Sequence, residues 1–146
     1  MPSVSFFNAD VKIQLLDKLL LKQFIPSIFL EEGKPLQAIK FIFCSDEYLL
    51  SLNKQFLNHD YYTDILTFDL STNKKIIGEI YISTERVFEN SALNQVSFQD
   101  ELNRVIFHGI LHLCSYSDTT ENGKADMTIK ENEYLIKYAS FHVKQD

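Results

Sequence analysis

Two apolar runs joined by a short polar link constrain the fold of this chain more than any other feature. Residues 65–70 (ILTFDL) and 76–83 (IIGEIYIS) are rich in β-branched and aromatic side chains, which is typical of strands. The link between them contains Lys74 and Lys75, which suit a turn. Parallel strands need a long crossover, whereas antiparallel strands accept a link this short. The sequence therefore predicts an antiparallel hairpin at the centre of the chain.

The rest of the chain alternates between strand-like and helix-like patterns. Further strands are predicted at 4–7 and 38–44, and helices at 10–24, 47–57, 84–94, 98–114 and 129–141. Pro26 is expected to kink or end the first helix, although the apolar residues after it allow a continuation to Glu32. Thr128 and Glu131 have the spacing of a capping box for the last helix. In the second helix, the predicted buried side consists of Tyr48, Leu49, Leu52 and Phe56.

The predicted order of elements is β-α-β-α-β-β-α-α-α. For 146 residues, the economical arrangement is one α+β domain spanning residues 1–146. Its mixed, mostly four-stranded sheet is covered by about five helices. No apolar window reaches the eighteen or so residues that a membrane span needs, and the N-terminus lacks a signal-peptide pattern. These features predict a cytoplasmic protein without membrane contact, and Cys44 and Cys114 are expected to be reduced and buried.

The charge balance restricts how this chain can contact nucleic acid. Its formal net charge is −6, which disfavours tight, non-specific binding to phosphate backbones. Any RNA contact must therefore use a local basic strip. The candidate cations for such a strip are Lys54, Arg86 and Arg104.

A pair of histidines on the long helix at 98–114 is the clearest chemical motif. His108 and His112 are four residues apart, so a helix presents both imidazoles on one face, one turn apart. Both can then reach one divalent ion, zinc above all. The alternative is that they are ordinary helix residues. The surrounding apolar helix favours the metal hypothesis, because unliganded buried imidazoles need other hydrogen-bond partners.

The third ligand and the general base are less firmly indicated. The residues after the helix allow the chain to turn, which can bring Asp118 back to the ion; water, His59 and His142 are the alternatives. Metalloproteases of the H-E-x-x-H type place a glutamate after the first histidine, and this chain has Gly109 there. Asp64 and Glu79 are the acidic candidates for a base, against the plain alternative of surface carboxylates.

The segment from His108 to Asp118 reads H-G-I-L-H-L-C-S-Y-S-D and resembles the H-G-x-L-H-L-x-G-Y-D-H signature of the YbeY family. Members of that family are metal-dependent endoribonucleases that act as rRNA maturation factors, and their three signature histidines bind zinc. The resemblance extends over about residues 40–135. It includes Leu52–Asn53, Thr63–Phe68, Gly78–Ser83 and the pair Met127 and Glu131.

Three positions depart from the family pattern. Asp118 stands at the third histidine, Ser115 and Ser117 flank Tyr116 where the family has glycine and aspartate, and the family arginine that serves RNA falls at Leu57. A carboxylate is an acceptable zinc ligand, but leucine cannot bind phosphate. Lys54, His59 and Arg104 are candidates to compensate for the missing arginine.

The resemblance implies a metal-dependent, single-strand endoribonuclease in 16S rRNA 3′-end maturation and ribosome quality control. It implies one zinc ion per chain, held by His108, His112 and Asp118, with other divalent ions as alternatives. Asp64 is the expected catalytic carboxylate. The implied partners are rRNA and the ribosome or a ribosomal protein, with no DNA. Two alternatives stay open, namely a ribosome-associated metal-binding factor with little nuclease activity and a general metallohydrolase.

Overall fold

The computed structural model describes residues 1–57 and 63–145, and its elements follow the predicted order. The strands are β1 (Ser3–Asn8), β2 (Leu36–Cys44), β3 (Ile65–Asp69) and β4 (Ile76–Ser83). The helices are α1 (Lys18–Glu31), α2 (Asp46–Leu57), α3 (Thr84–Leu93), α4 (Phe98–Leu113) and α5 (Glu121–Gln145). The predicted α+β class, with a four-stranded mixed sheet and five helices, is confirmed for the described residues.

The sheet has the strand order β1-β2-β4-β3. β1, β2 and β4 are parallel, whereas β3 runs antiparallel to β4, with Ile65 opposite Ile82 and Asp69 opposite Gly78. The predicted hairpin is thus confirmed. Its closed end lies at the Thr72–Lys75 turn, where Asn73 has a positive φ of 60°. β3 is an edge strand, and the main-chain carbonyl of Asp64, just before it, accepts the Ser83 N–H at 3.0 Å.

The helices divide unequally between the two faces of the sheet. α1, α4 and α5 form the larger core with one face, where Phe41 and Ile80 are fully buried. α2 lies on the other face and buries Leu49 against Cys44 and Leu66. The prediction that Tyr48 and Phe56 are buried is wrong, because they are 38% and 59% exposed. They lie at the margin of the contact between α2 and the sheet. Tyr48 packs on the ring of Tyr81, and Phe56 packs on the ring of Phe68.

The predicted start of the first helix is wrong, whereas its continuation past Pro26 towards Glu32 is confirmed. α1 begins at Lys18 instead of residue 10 and continues past Pro26 to Glu31. The segment before it is irregular, with Val11, Ile13 and Leu15 packing on the core at alternate positions. The apolar face that drives this helix lies further along the chain than predicted, and it consists of Leu21, Phe24, Ile25, Ile28 and Phe29.

The last helix is longer than predicted. α5 begins at Glu121, eight residues before the predicted start at residue 129. The Thr120 hydroxyl accepts the Gly123 N–H at 3.0 Å and so caps the helix. The capping box at Thr128 is wrong, because its hydroxyl donates to the Lys124 carbonyl in mid-helix. Among the described helices, none combines the length and the apolar character that a membrane crossing needs.

α4 lies very close to the hairpin, and two glycines permit this approach. A Cβ atom at Gly109 would lie 2.9 Å from side-chain atoms of both Ile65 and Ile80, and one at Gly78 would lie 2.5 Å from Leu113. Ser97 caps the helix by accepting the Asp100 N–H at 3.0 Å. The helix is therefore held against β3 and β4, and its His112 side chain lies beside β3, where it lines a pocket together with Ile65 and Thr67.

Candidate metal centre

The two helical histidines meet as the sequence predicts. Their Nε2 atoms are 2.9 Å apart, and their side chains are 22% and 28% exposed. His108 and His112 thus form one half-buried edge of a site that solvent can still reach.

The chain turns sharply after α4 and brings Asp118 to this pair. Ser115 adopts a positive φ of 78°, and the Tyr116 N–H donates back to the Leu111 carbonyl at 3.0 Å. Asp118 Oδ2 then lies 3.3 Å from His108 Nε2 and 3.5 Å from His112 Nε2. A tetrahedral ion with bonds of about 2.0–2.1 Å separates its ligand atoms by roughly 3.3–3.4 Å. The three side chains could therefore hold one divalent ion.

The hydrogen bonds on the far sides of the two rings show how well these residues suit a cation. His112 Nδ1 faces the Tyr116 carbonyl at 3.2 Å, and a carbonyl only accepts, so this nitrogen carries the proton. His108 Nδ1 faces a carboxylate oxygen of Glu131 at 2.6 Å, and an ionised carboxylate also only accepts. Both neutral rings consequently direct their Nε2 lone pairs at the same point. Two lone pairs this close repel each other unless positive charge lies between them, either a metal ion or a proton shared by the two rings.

The other candidate ligands lie elsewhere or outside the described residues. His142 pairs with Asp17 at 2.7 Å and is not part of the cluster. His59 falls within residues 58–62, which lie outside the described residues. Burial raises the pKa of the Cys114 thiol to about 12, so this thiol stays protonated. Asp118 is therefore the third ligand candidate that the described geometry supports.

Of the two acidic candidates for a base, one lies near the cluster. Asp64 interacts electrostatically with His108, Glu131 and Asp118. Burial raises the pKa of the Asp64 carboxyl; the charge of His108 opposes this rise, and the two neighbouring carboxylates add to it. Glu79 belongs to the opposite face of the sheet and accepts the Tyr81 hydroxyl at 3.2 Å. Asp64 thus lies near the cluster, whereas Glu79 lies on the other face of the sheet.

Glu131 and Glu32 support the site, a role that the sequence pattern does not predict for either residue. Glu131 was assigned to a helix cap, yet its side chain is only 9% exposed and bonds to His108. Glu32, at the end of α1, accepts the Tyr116 hydroxyl at 2.8 Å and the Tyr134 hydroxyl. Since the Tyr116 carbonyl orients His112, Glu32 stabilises the turn that completes the cluster.

The electrostatic balance at His108 is dominated by these carboxylates. Burial by itself lowers the pKa of an imidazole, because it disfavours the charged form. The hydrogen bond to Glu131 and the charges of Glu131, Asp118 and Asp64 outweigh burial and raise the pKa of His108 above its ordinary value. The cluster therefore attracts positive charge.

The two arginines considered for RNA contact are engaged with protein groups. Arg86 Nε lies 3.0 Å from Asp46, and a second guanidinium nitrogen lies 2.8 Å from Glu89. Arg104 donates to Glu131 at 2.9 Å and to Asn132 at 2.7 Å. Lys54 is exposed on α2, and Leu57, at the position of the family arginine, is 42% exposed.

Comparison with known proteins decides the family. The family model described as "Endoribonuclease YbeY" matches residues 7–139. The chain belongs to the YbeY family. A relative named "Endoribonuclease YbeY" from Flavobacterium psychrophilum is 42% identical over 140 residues, covering 96% of this chain and 98% of the relative. A YbeY relative of the same name from Cytophaga hutchinsonii is 44% identical over 134 residues, covering 91% and 94% of the two chains.

A solved structure has a similar fold. The solution structure of a Thermotoga maritima protein superposes with a TM-score of 0.63 at 26% identity, covering 97% of this chain and 93% of that one. The YbeY membership that the motif suggested is confirmed.

Proposed function

We propose that this chain is a metal-dependent endoribonuclease that cleaves single-stranded RNA. Membership of a family whose curated relatives are named as endoribonucleases supports the reaction. The observation that carries the proposal is the convergence of two imidazole lone pairs and one carboxylate oxygen within 3.5 Å of one another. We further propose that the ion is zinc, because two imidazoles and one carboxylate form a donor set that zinc accepts.

Each residue has a distinct part in this proposal. His108, His112 and Asp118 hold the ion and leave part of its surroundings open to water and RNA. A divalent cation held by these residues would supply Lewis-acid chemistry, that is, polarisation of the phosphodiester and a lower pKa for a nearby water molecule. Asp64, whose raised pKa makes its carboxylate a better proton acceptor, orients the attacking water and takes its proton. A new P–O bond then forms as the P–O bond to the leaving ribose oxygen breaks, and that oxygen takes up a proton from solvent water.

The test is a nuclease assay on single-stranded RNA with the zinc-loaded protein. The parent is expected to produce internal cleavage fragments, and the His112→Ala variant, purified identically, is expected to produce none. Equal cleavage by both proteins would show that a contaminant is responsible. No cleavage by the parent with zinc, manganese or magnesium would favour the ribosome-associated factor over the enzyme.

Asp118 is proposed as the third ligand, and its substitution gives a quantitative prediction. Asp118→Ala should weaken zinc binding at least about tenfold, or roughly 1.4 kcal/mol, because it removes one of three protein ligands. Asp118→His should retain zinc, since it restores the donor of the family signature. Because oxygen is a harder donor than nitrogen, manganese should compete better in the parent than in Asp118→His. Competition titration with a chromogenic chelator measures all three effects, and zinc affinity in Asp118→Ala equal to that of the parent would exclude the ligand role.

RNA binding is proposed to depend on a local basic contact that includes Lys54. Lys54→Gln should weaken binding to single-stranded RNA at low salt and reduce the salt slope by about 0.7, the value for one lost phosphate contact. Fluorescence anisotropy across a salt series measures this slope. Lys144→Gln, which removes the same charge at the end of α5, is the control. An unchanged slope in Lys54→Gln would remove this lysine from the interface.

The biological setting is also a proposal. We place the activity in 16S rRNA 3′-end maturation and ribosome quality control, in the cytoplasm, with the ribosome or a ribosomal protein as partner. The exposed Leu57 at the position of the family arginine favours one alternative, a ribosome-associated metal-binding factor that cleaves poorly. A general metallohydrolase is the remaining alternative, and cleavage of RNA by the zinc-loaded parent would argue against it.

A further inference from the structure

A chain of three side chains links the two long helices behind the metal cluster. Arg104 and His108 lie one turn apart on α4, and Glu131 reaches them from α5. One carboxylate oxygen of Glu131 accepts from Arg104 Nη1 at 2.9 Å, and the other faces His108 Nδ1 at 2.6 Å. Each oxygen thus has its own partner, and the carboxylate cannot rotate without losing both contacts.

The contact on His108 determines which nitrogen is available to an ion. An imidazole in its neutral form carries one proton, and the hydrogen bond made by one nitrogen fixes the role of the other. With the proton held on Nδ1 by Glu131, the Nε2 lone pair is directed towards Asp118 and His112. Without that acceptor, the proton is free to occupy Nε2, where it blocks metal binding.

Arg104 has a role one step further from the ion. Its second guanidinium nitrogen donates to Asn132 at 2.7 Å, so the guanidinium is fixed at two neighbouring positions of α5. Its positive charge offsets the negative charge of the Glu131 carboxylate, which is only 9% exposed and lies near a second carboxylate, that of Asp64. Arg104 therefore holds the Glu131 carboxylate in place beside His108.

We infer that Glu131 is the positioning residue for His108, and that Arg104 affects the metal centre only through Glu131. This inference rests on the metal centre proposed above, yet it assigns a function to two residues outside the ligand set. It also changes the expectation for Arg104. Loss of this side chain should weaken metal binding in the first place, and RNA binding only as a secondary effect. The competing explanation is that Arg104 and Glu131 only stabilise the packing of α4 against α5.

The first experiment measures zinc affinity in substituted proteins by chelator competition. Glu131→Gln keeps the size of the side chain but weakens the acceptor, and it should lower zinc affinity about ten- to hundredfold, as loss of such outer contacts does at other zinc sites. The matched control is Glu133→Gln on the same helix, which removes one charge from a 40% exposed side chain paired with Lys130 and Lys137. The zinc affinity of the control should stay within about twofold of that of the parent, a much smaller change than the loss expected for Glu131→Gln.

A double-mutant cycle then tests whether Arg104 acts on the metal centre through Glu131. Arg104→Met should weaken zinc binding in the parent but have no further effect in the Glu131→Gln background, because its route to the ion has been removed. Parent-like zinc affinity in Glu131→Gln, or an undiminished Arg104→Met effect in that background, would overturn the inference.

The second experiment needs no metal and so separates this inference from the proposed metal centre. Long-range ¹H–¹⁵N correlation spectra of the metal-free protein, at a pH where both rings are neutral, report which ring nitrogen carries the proton. The parent should show the Nδ1–H form at His108, and Glu131→Gln should show a substantial Nε2–H population with parent-like thermal stability. If the parent binds no zinc, the proposed metal centre fails, whereas an unchanged His108 tautomer in Glu131→Gln refutes the positioning role alone.

Discussion

Replacing His108 and His112 together with alanine is expected to abolish stoichiometric zinc binding while the protein stays folded. The substitution removes both nitrogen donors and leaves one carboxylate, which cannot hold zinc by itself. Folding should persist, because these side chains are partly exposed and lie outside the apolar core. The measurements are elemental analysis of the purified protein, circular dichroism and thermal unfolding.

A histidine elsewhere in the chain provides the control for that experiment. His142→Ala removes an imidazole that pairs with Asp17 away from the cluster, so its zinc content should equal that of the parent. RNA cleavage should be lost in the double variant and retained in the control. If the double variant carries as much zinc as the parent, the metal is bound elsewhere and the proposed centre is wrong.

The second large effect is expected from Asp64→Asn. The amide keeps the shape of the side chain but cannot accept a proton from water, so the turnover of RNA cleavage should fall about 10²- to 10⁴-fold. Zinc affinity should change little, because Asp64 is not in the ligand set. Single-turnover cleavage with zinc-loaded protein measures the effect on the chemical step.

The control for Asp64 is a carboxylate in the same hairpin. Glu79→Gln changes a side chain on the opposite face of the sheet, so cleavage should remain within about twofold of the parent, far from the loss that a missing base causes. Full activity in Asp64→Asn would show that proton transfer depends on another group. A large loss of zinc in that variant would instead indicate that Asp64 helps to hold the ion.

The sequence predicts the central part of this fold well because its local signals agree with the tertiary contacts. In the hairpin, a short link joins two runs of strand-forming residues, and in α4 the apolar periodicity continues across the whole helix. α1 differs because exposed leucines such as Leu16 and Leu19 imitate a helical face, whereas the buried face lies beyond Lys18. α5 differs because its first turn contains Gly123, a poor helix former, yet the Thr120 hydroxyl caps the helix at that turn.

The candidate metal centre is also predictable from the sequence only in part. Four-residue spacing is enough to place His108 beside His112, but only the folded turn at Ser115 shows how Asp118 reaches them. Glu131 was missed because its spacing from Thr128 imitates a capping box. A signal for it existed, since Glu131 shares a helical face with Met127 and Tyr134, and a carboxylate among such buried residues needs a specific partner.

The close approach of α4 to the hairpin also limits how this protein can diversify. The position after His108 is where H-E-x-x-H metalloproteases carry their catalytic glutamate, and here it faces Ile65 and Ile80. A glutamate at Gly109 would bury its charge among aliphatic side chains, and the helix would have to retreat from the sheet to accept it. Peptide hydrolysis by that route would therefore require a displacement of the backbone of α4 and could not arise from the substitution of Gly109 alone.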